Sequence, residues 1–175
     1  MAKISEADRK QLIEYAKAAK SKGINHIYLH WSASRYNQVF DDYHINIMGK
    51  SSEYGDGGLY FTTDNLAERK SHTWKRNTGA IGITLAAAYG ASSNASMGEY
   101  PPTKQQLESM KQAVAILCTV LDIPIDKDHV MTHAEAADLD DYGPATTVER
   151  WDLMGQGDDI RGGAIWYTQN GIMAE

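Results

Sequence analysis

The sequence predicts an α/β fold, a single mixed β-sheet flanked by helices, and three observations carry that expectation. Three apolar runs, Ile27-Tyr28-Leu29, Ala80 to Leu85 and Val130-Met131-Thr132, are rich in β-branched and aromatic residues and too short for helices. Longer segments with apolar residues at helical spacing alternate with them, which is the pattern of a sheet covered by helices. The length of 175 residues, with 42% hydrophobic and 23% charged content, fits one domain spanning 1–175 with one sizeable core.

Taken in order, Ser5 is an N-cap for a helix over about 5–22, with Leu12, Ile13, Ala16 and Ala19 on one face and Gly23 beyond its end. The strand Ile27-Tyr28-Leu29 follows and ends in His30. Arg35 to Phe40 reads as loop or a short turn of helix, and Asp41 to Ile47 alternates Tyr43, Ile45 and Ile47 against His44 and Asn46, the mark of a half-buried strand. Leu59-Tyr60-Phe61 is a short strand, and Thr63 or Asp64 is placed to cap a helical turn from Asn65 to Lys70. The strand Ala80 to Leu85 contains Gly82, which marks a bulge or a close approach to the backbone.

Ala86 to Tyr100 is a surface loop, and Pro101-Pro102 closes it. Thr103 and Gln106 form a capping box for the clearest helix, striped by Leu107, Met110, Val114, Leu117 and Leu121. Cys118 falls in that pattern and is expected in the core. After Pro124 the chain turns into the strand Val130 to Thr132, which ends in His133. Asp138 to Thr147 is an acidic loop, and a last helix over about 160–170 is weakened by Gly162 and Gly163.

Two strands that end in histidine, at His30 and His133, give the chemistry a place, because open α/β sheets carry their sites beyond strand ends. Neutral imidazoles are metal ligands, and a catalytic zinc takes three protein ligands and leaves one position open. The third ligand has to come from elsewhere; Glu135, Asp138, Asp140, Asp141 and Asp152 all follow His133. Set against this, a lone strand histidine is more often a hydrogen-bonded core residue.

Other classes are excluded or weakened. A net charge of −6 with scattered Lys and Arg offers no basic stripe for nucleic acid. One cysteine excludes an internal disulfide and any paired-cysteine metal knuckle. His133-Ala134-Glu135 resembles the first half of a zinc base deaminase motif, but the cysteines of the second half are lacking. No run of apolar residues is long enough for a membrane span, and the opening MAKISEADRK lacks the apolar stretch of a secretory leader. Synthesis in the cytoplasm is therefore expected.

Five stretches occur in a telling order: IYLHWSAS, DDYHINI, SHTWKRNTGAIGITL, VMTHAEAA and ERWDL. Over residues 25–155 they resemble the zinc-dependent N-acetylmuramoyl-L-alanine amidases of the amidase-2 or peptidoglycan-recognition fold, the phage lysozyme-like amidases above all. The resemblance implies Zn2+ held by His30 and His133, with Asp152 as third ligand because a basic residue, Arg150, precedes it by two. Asp138 or Asp140 stays open as a replacement, since the spacing from His133 is longer than the family's and points to an insertion over Asp138 to Thr147.

The same resemblance implies Tyr43 and Arg150 as catalytic residues and His72, Trp31 and Thr84 as substrate contacts. Several relatives carry an acid, proposed as general base, where this chain has Thr84; Tyr43 or Glu135 is then expected to take that role. The expected activity is hydrolysis of the amide between N-acetylmuramic acid and L-alanine of the peptidoglycan stem peptide, by a monomer acting on the bacterial cell wall after export by a holin, a virion or a secretion system. A non-catalytic peptidoglycan-recognition module is the alternative, and it would have lost a ligand.

Overall fold

A computed structural model describes residues 4–92, 96–141 and 152–174. Among the described residues nine elements follow one another: α1 (Glu6–Ala19), β1 (His26–Trp31), β2 (Ile45–Ile47), β3 (Leu59–Phe61), β4 (Ala80–Leu85), α2 (Lys104–Leu121), β5 (Val130–Thr132), α3 (His133–Leu139) and α4 (Gly157–Gln169). The sheet runs β3-β2-β4-β1-β5, with β3 antiparallel to β2 and every other pair parallel. It is the single mixed α/β sheet the alternation predicted.

Alternation along the strands divides the residues between two faces. Ile27, Leu29 and Trp31 of β1 join Ile81, Ile83 and Leu85 of β4 and Ile45 and Ile47 of β2 in the main core, packed with Met110, Val114 and Leu117 of α2 and Leu12 and Ala16 of α1. Cys118 lies in this core, where burial pushes its thiol up to about 12. The opposite face carries Tyr28, Ala80, Met131 and Ala136 in a small cluster under α3. His30 of β1 and Thr84 of β4, paired side by side, fall between the core positions of their strands, and with His44, just before β2, each is fully buried. A polar face this deeply buried is the part of the fold with a use other than packing.

Three local expectations change. Asp41 to His44 is a turn and strand pairing begins only at Ile45; Asp41 and Asp42 are exposed and Tyr43 half-buried, whereas His44 to Ile47 are all covered with no alternation. Its loop is closed instead by Asn46, which donates to the Phe40 carbonyl and accepts from the Phe40 N–H, both at 3.0 Å. Asn65 to Lys70 is not helical, and the Thr63 and Asn65 side chains satisfy its backbone by turns. His133 does not end a strand; it is the first residue of α3, whose N-cap Thr132 accepts from the Glu135 N–H while Glu135 accepts from the Thr132 N–H.

The terminal helices are also shifted. α1 stops at Ala19, before the polar run Lys20 to Lys22, and α4 starts earlier than expected, at Gly157. Gly163 belongs in α4 despite its helix penalty because a Cβ there would stand 2.4 Å from Lys111 Cδ, so the bare backbone is what brings α4 against α2.

Candidate metal centre

The polar face is assembled from three separate segments. His30 is the penultimate residue of β1, His133 opens α3, and Asp152 lies in the turn at 152–155. Backbone contacts hold the last of these against the other two: the Ala134 N–H donates to the Asp152 carbonyl at 3.1 Å, and the Trp31 N–H donates to Asp152 Oδ1. The other carboxylate oxygen, Oδ2, is 3.2 Å from His30 Nδ1 and 3.1 Å from His133 Nδ1.

His30, His133 and Asp152 are the group of potential ligands that converge among the described residues, with donor atoms within 4.8 Å of one another. Zinc holds imidazole nitrogen and carboxylate oxygen at about 2.0–2.2 Å, so tetrahedral ligand atoms stand roughly 3.3 Å apart. The observed separations match that spacing, and the donor set of two nitrogens and one oxygen suits zinc. Burial lowers the pKa of His30, an effect that Asp152 partly offsets, so the ring is neutral and able to ligate. Burial acts to raise Asp152, but the His133 and His30 hydrogen bonds overcome it and keep the carboxylate ionised.

The competing acids are engaged elsewhere. Asp140 receives both Arg76 Nε and Nη2 at 2.7 Å. Glu135 receives Arg161 Nη1 and Nη2 at 2.8 Å; burial would raise its pKa, but Arg161 and the Thr132 N–H hold it below the usual carboxylate value. Glu135 therefore ties α3 to α4 and is not free as a base. Asp138 and Asp141 are exposed and outside the convergent group.

Around His30 stand Tyr43, with ring centroids 5.0 Å away, and His72, at 5.6 Å. Tyr43 is held from behind, where the Thr62 hydroxyl donates to its carbonyl at 2.6 Å. Burial first, then the Asp152 and Asp42 charges, push the phenol far above its ordinary value, so Tyr43 stays protonated and is a donor. Thr84, expected to touch substrate, is fully buried and faces Tyr43 instead.

His72, also expected at the substrate, is 6% exposed and packs its ring on Gly82, where a Cβ would lie 2.6 Å from its Cγ. Close approach, not a bulge, explains Gly82. Burial lowers the His72 pKa to about 2, with His30 and His44 adding to the effect. Trp31, the third expected substrate contact, turns away from His30 by strand alternation and puts its ring into the helix-covered core. Arg150 lies outside the described residues, as do 142–147 of the expected insertion.

Sequence reading missed Thr73. Its Oγ1 lies 2.8 Å from His72 Nδ1 and 3.3 Å from His30 Nε2, bridging the two rings. Asn77 Oδ1 accepts the N–H groups of His72 and Thr73 at 3.0 and 2.8 Å and fixes the loop that presents them. Trp74, 43% exposed beside this loop, was passed over too. An Asn placed to satisfy successive backbone amides is a turn signal the sequence did contain.

The sequence profile of the N-acetylmuramoyl-L-alanine amidase family matches residues 17–147. The chain belongs to this family. The match runs through His30, Tyr43, His72 and His133 and ends before Asp152, so the third member of the cluster rests on geometry. No curated protein matches the chain. Family membership makes it a peptidoglycan amidase, and none of its helices among the described residues is long and apolar enough to cross a membrane.

Proposed function

We propose that this amidase cleaves the amide between the lactyl group of N-acetylmuramic acid and L-alanine, with zinc held by His30, His133 and Asp152. The observation that carries this reading is the convergence of His30 Nδ1, His133 Nδ1 and Asp152 Oδ2 at 3.1–3.2 Å from three segments far apart in sequence. Zinc bound there supplies a Lewis acid for the scissile carbonyl and lowers the pKa of a water at its open position.

The chain's own residues do the rest. The Tyr43 hydroxyl, kept protonated by burial, donates a hydrogen bond to the oxygen on which negative charge develops. Arg150 adds a fixed positive charge to the same oxygen, the role the family pattern gives it. A phenol this hard to ionise is no general base, and Glu135 is committed to Arg161, so neither expected base fits that role. Burial keeps His30 neutral, and the Trp31 N–H fixes Asp152 so that one oxygen stays aimed between the two imidazoles.

This reading extends to the setting. The substrate is the peptidoglycan of a bacterial wall, which the protein reaches as a phage lysin, on a virion or by export, and the working unit is a monomer. The test is digestion of purified muropeptides by zinc-loaded protein with products read by mass. Free stem peptide beginning with L-alanine, together with intact N-acetylmuramic acid, is expected. Cleavage within the glycan or within the peptide would contradict the assignment.

A further inference from the structure

His133 sits at a corner of the chain that one buried cation holds from both sides. Arg161 of α4 is 5% exposed, and its guanidinium reaches across to the junction of β5 and α3. Nη1 donates at 2.8 Å to the Val130 carbonyl, upstream of His133, and at 2.8 Å to Glu135 Oε1, downstream of it. Nη2 donates at 2.8 Å to Glu135 Oε2 and at 2.8 Å to Asp158 Oδ1 on the helix surface.

The charge of Glu135 belongs to this contact. Its Oε1 also accepts the Thr132 N–H at 2.9 Å, but a capping box does not need a carboxylate, since Gln106 fills the same position in the box of α2. α4 comes this close because Gly157 has no side chain; a Cβ there would stand 2.5 Å from Glu135 Oε1 and 2.6 Å from Oε2. The segment entering α4 is the one that carries Asp152, whose carbonyl the Ala134 N–H holds at 3.1 Å. A buried ion pair is weak evidence for stability, because apolar replacements often serve as well. What this pair adds is a fixed direction for the chain on either side of His133.

We propose that Arg161 and Glu135 are positioning residues of the metal centre, an inference that rests on the metal reading given above. The fork fixes the corner between β5 and α3, so that His133 Nδ1 faces Asp152 Oδ2 at 3.1 Å and does not swing clear on the first turn of α3. Neither residue touches metal or substrate. Both act through His133, and loosening them costs metal affinity because the ion must then order its own ligand.

Three variants loosen the corner in different ways. Arg161→Lys keeps the charge and loses the fork, and Glu135→Gln keeps the cap acceptor and loses the charge. Gly157→Ala removes no polar group and raises helix propensity, yet pushes the Glu135 carboxylate off Arg161. Chelator competition should show zinc binding weakened by about 10- to 100-fold in each, the usual size of an effect exerted through a ligand. A folded Arg161→Lys or Gly157→Ala chain with parent-like zinc affinity overturns the proposal, whatever its melting temperature.

A second arm uses metal-free protein with nitrogen-labelled histidines. The ring signals of His133 should move from parent to Arg161→Lys, while those of His44, held by the Glu68 carbonyl and the Gly82 N–H, stay in place. Unmoved His133 signals overturn the proposal. A parent chain that takes up no zinc, with His133 moving as expected, would overturn the metal reading and leave the positioning of His133 standing.

Discussion

Asp152 reaches β1 through the peptide N–H of Trp31, which donates to Oδ1 and leaves Oδ2 between the two histidines. One oxygen anchors and the other is offered to the metal. Asp152→Ala should therefore lose zinc, and it also strands a buried N–H, at a cost of about 1–3 kcal/mol in the apo chain. Asp152→Asn retains an acceptor for Trp31 and should recover stability without recovering metal affinity. Asp138→Ala, Asp140→Ala and Asp141→Ala should bind zinc like the parent; metal analysis showing loss in one of these with retention in Asp152→Ala would move the ligand.

Thr73 is placed to orient His30. With Nδ1 of His30 given to a metal, its proton sits on Nε2 and is donated to Thr73 Oγ1, whose hydroxyl in turn donates to His72 Nδ1. Removing the relay in Thr73→Val should weaken zinc binding by about 10- to 100-fold, the usual size of such a supporting contact. Thr73→Ser should restore it. Competition with a chromogenic chelator measures both, and equal affinities for all three chains would reduce Thr73 to packing.

Tyr43 and Arg150 are assigned to the transition state and not to the metal. Loss of one preorganised donor typically lowers turnover by about 10²–10³-fold, which is the expected fall for Tyr43→Phe and for Arg150→Ala at unchanged zinc content. Arg150→Lys should keep part of the activity, as charge is retained while the planar fork is lost. Parent-like digestion of peptidoglycan by Tyr43→Phe would leave the phenol a packing group.

Burial holds His30, His44 and His72 below their ordinary pKa, His72 at about 2. An unfolded chain takes up these protons near pH 6.5 while the folded chain refuses them, so the metal-free protein should lose stability as pH falls below that value. Each histidine contributes up to about 1.4 kcal/mol per pH unit between 6.5 and its folded pKa. Urea unfolding of chelator-treated protein from pH 7.5 to 4.5 measures the slope. A flat profile across that range would mean the rings are solvated or protonated in the fold.

Much of this was legible in the residues, and the failures share a cause. Capping chemistry is local, so Ser5 and the Thr103–Gln106 box marked α1 and α2 correctly. The Thr132–Glu135 box had the same form but went unread, because His133 had already been placed at the end of a strand. Strand alternation could have set Trp31 opposite His30, yet family likeness pointed it at substrate. Glu135 and Asp140 looked free because their partners, Arg161 and Arg76, are 26 and 64 residues away. Long-range pairing of this kind decides which acid meets a metal, and no periodicity reports it.

X-ray absorption at the zinc edge of the loaded parent protein tests the centre most directly. The expected spectrum has light nitrogen and oxygen scatterers at about 2.0–2.2 Å in a four-coordinate shell, with the outer-shell pattern of two imidazoles. A sulfur scatterer, a six-oxygen shell or the signature of a single histidine would contradict a site built from His30, His133 and Asp152.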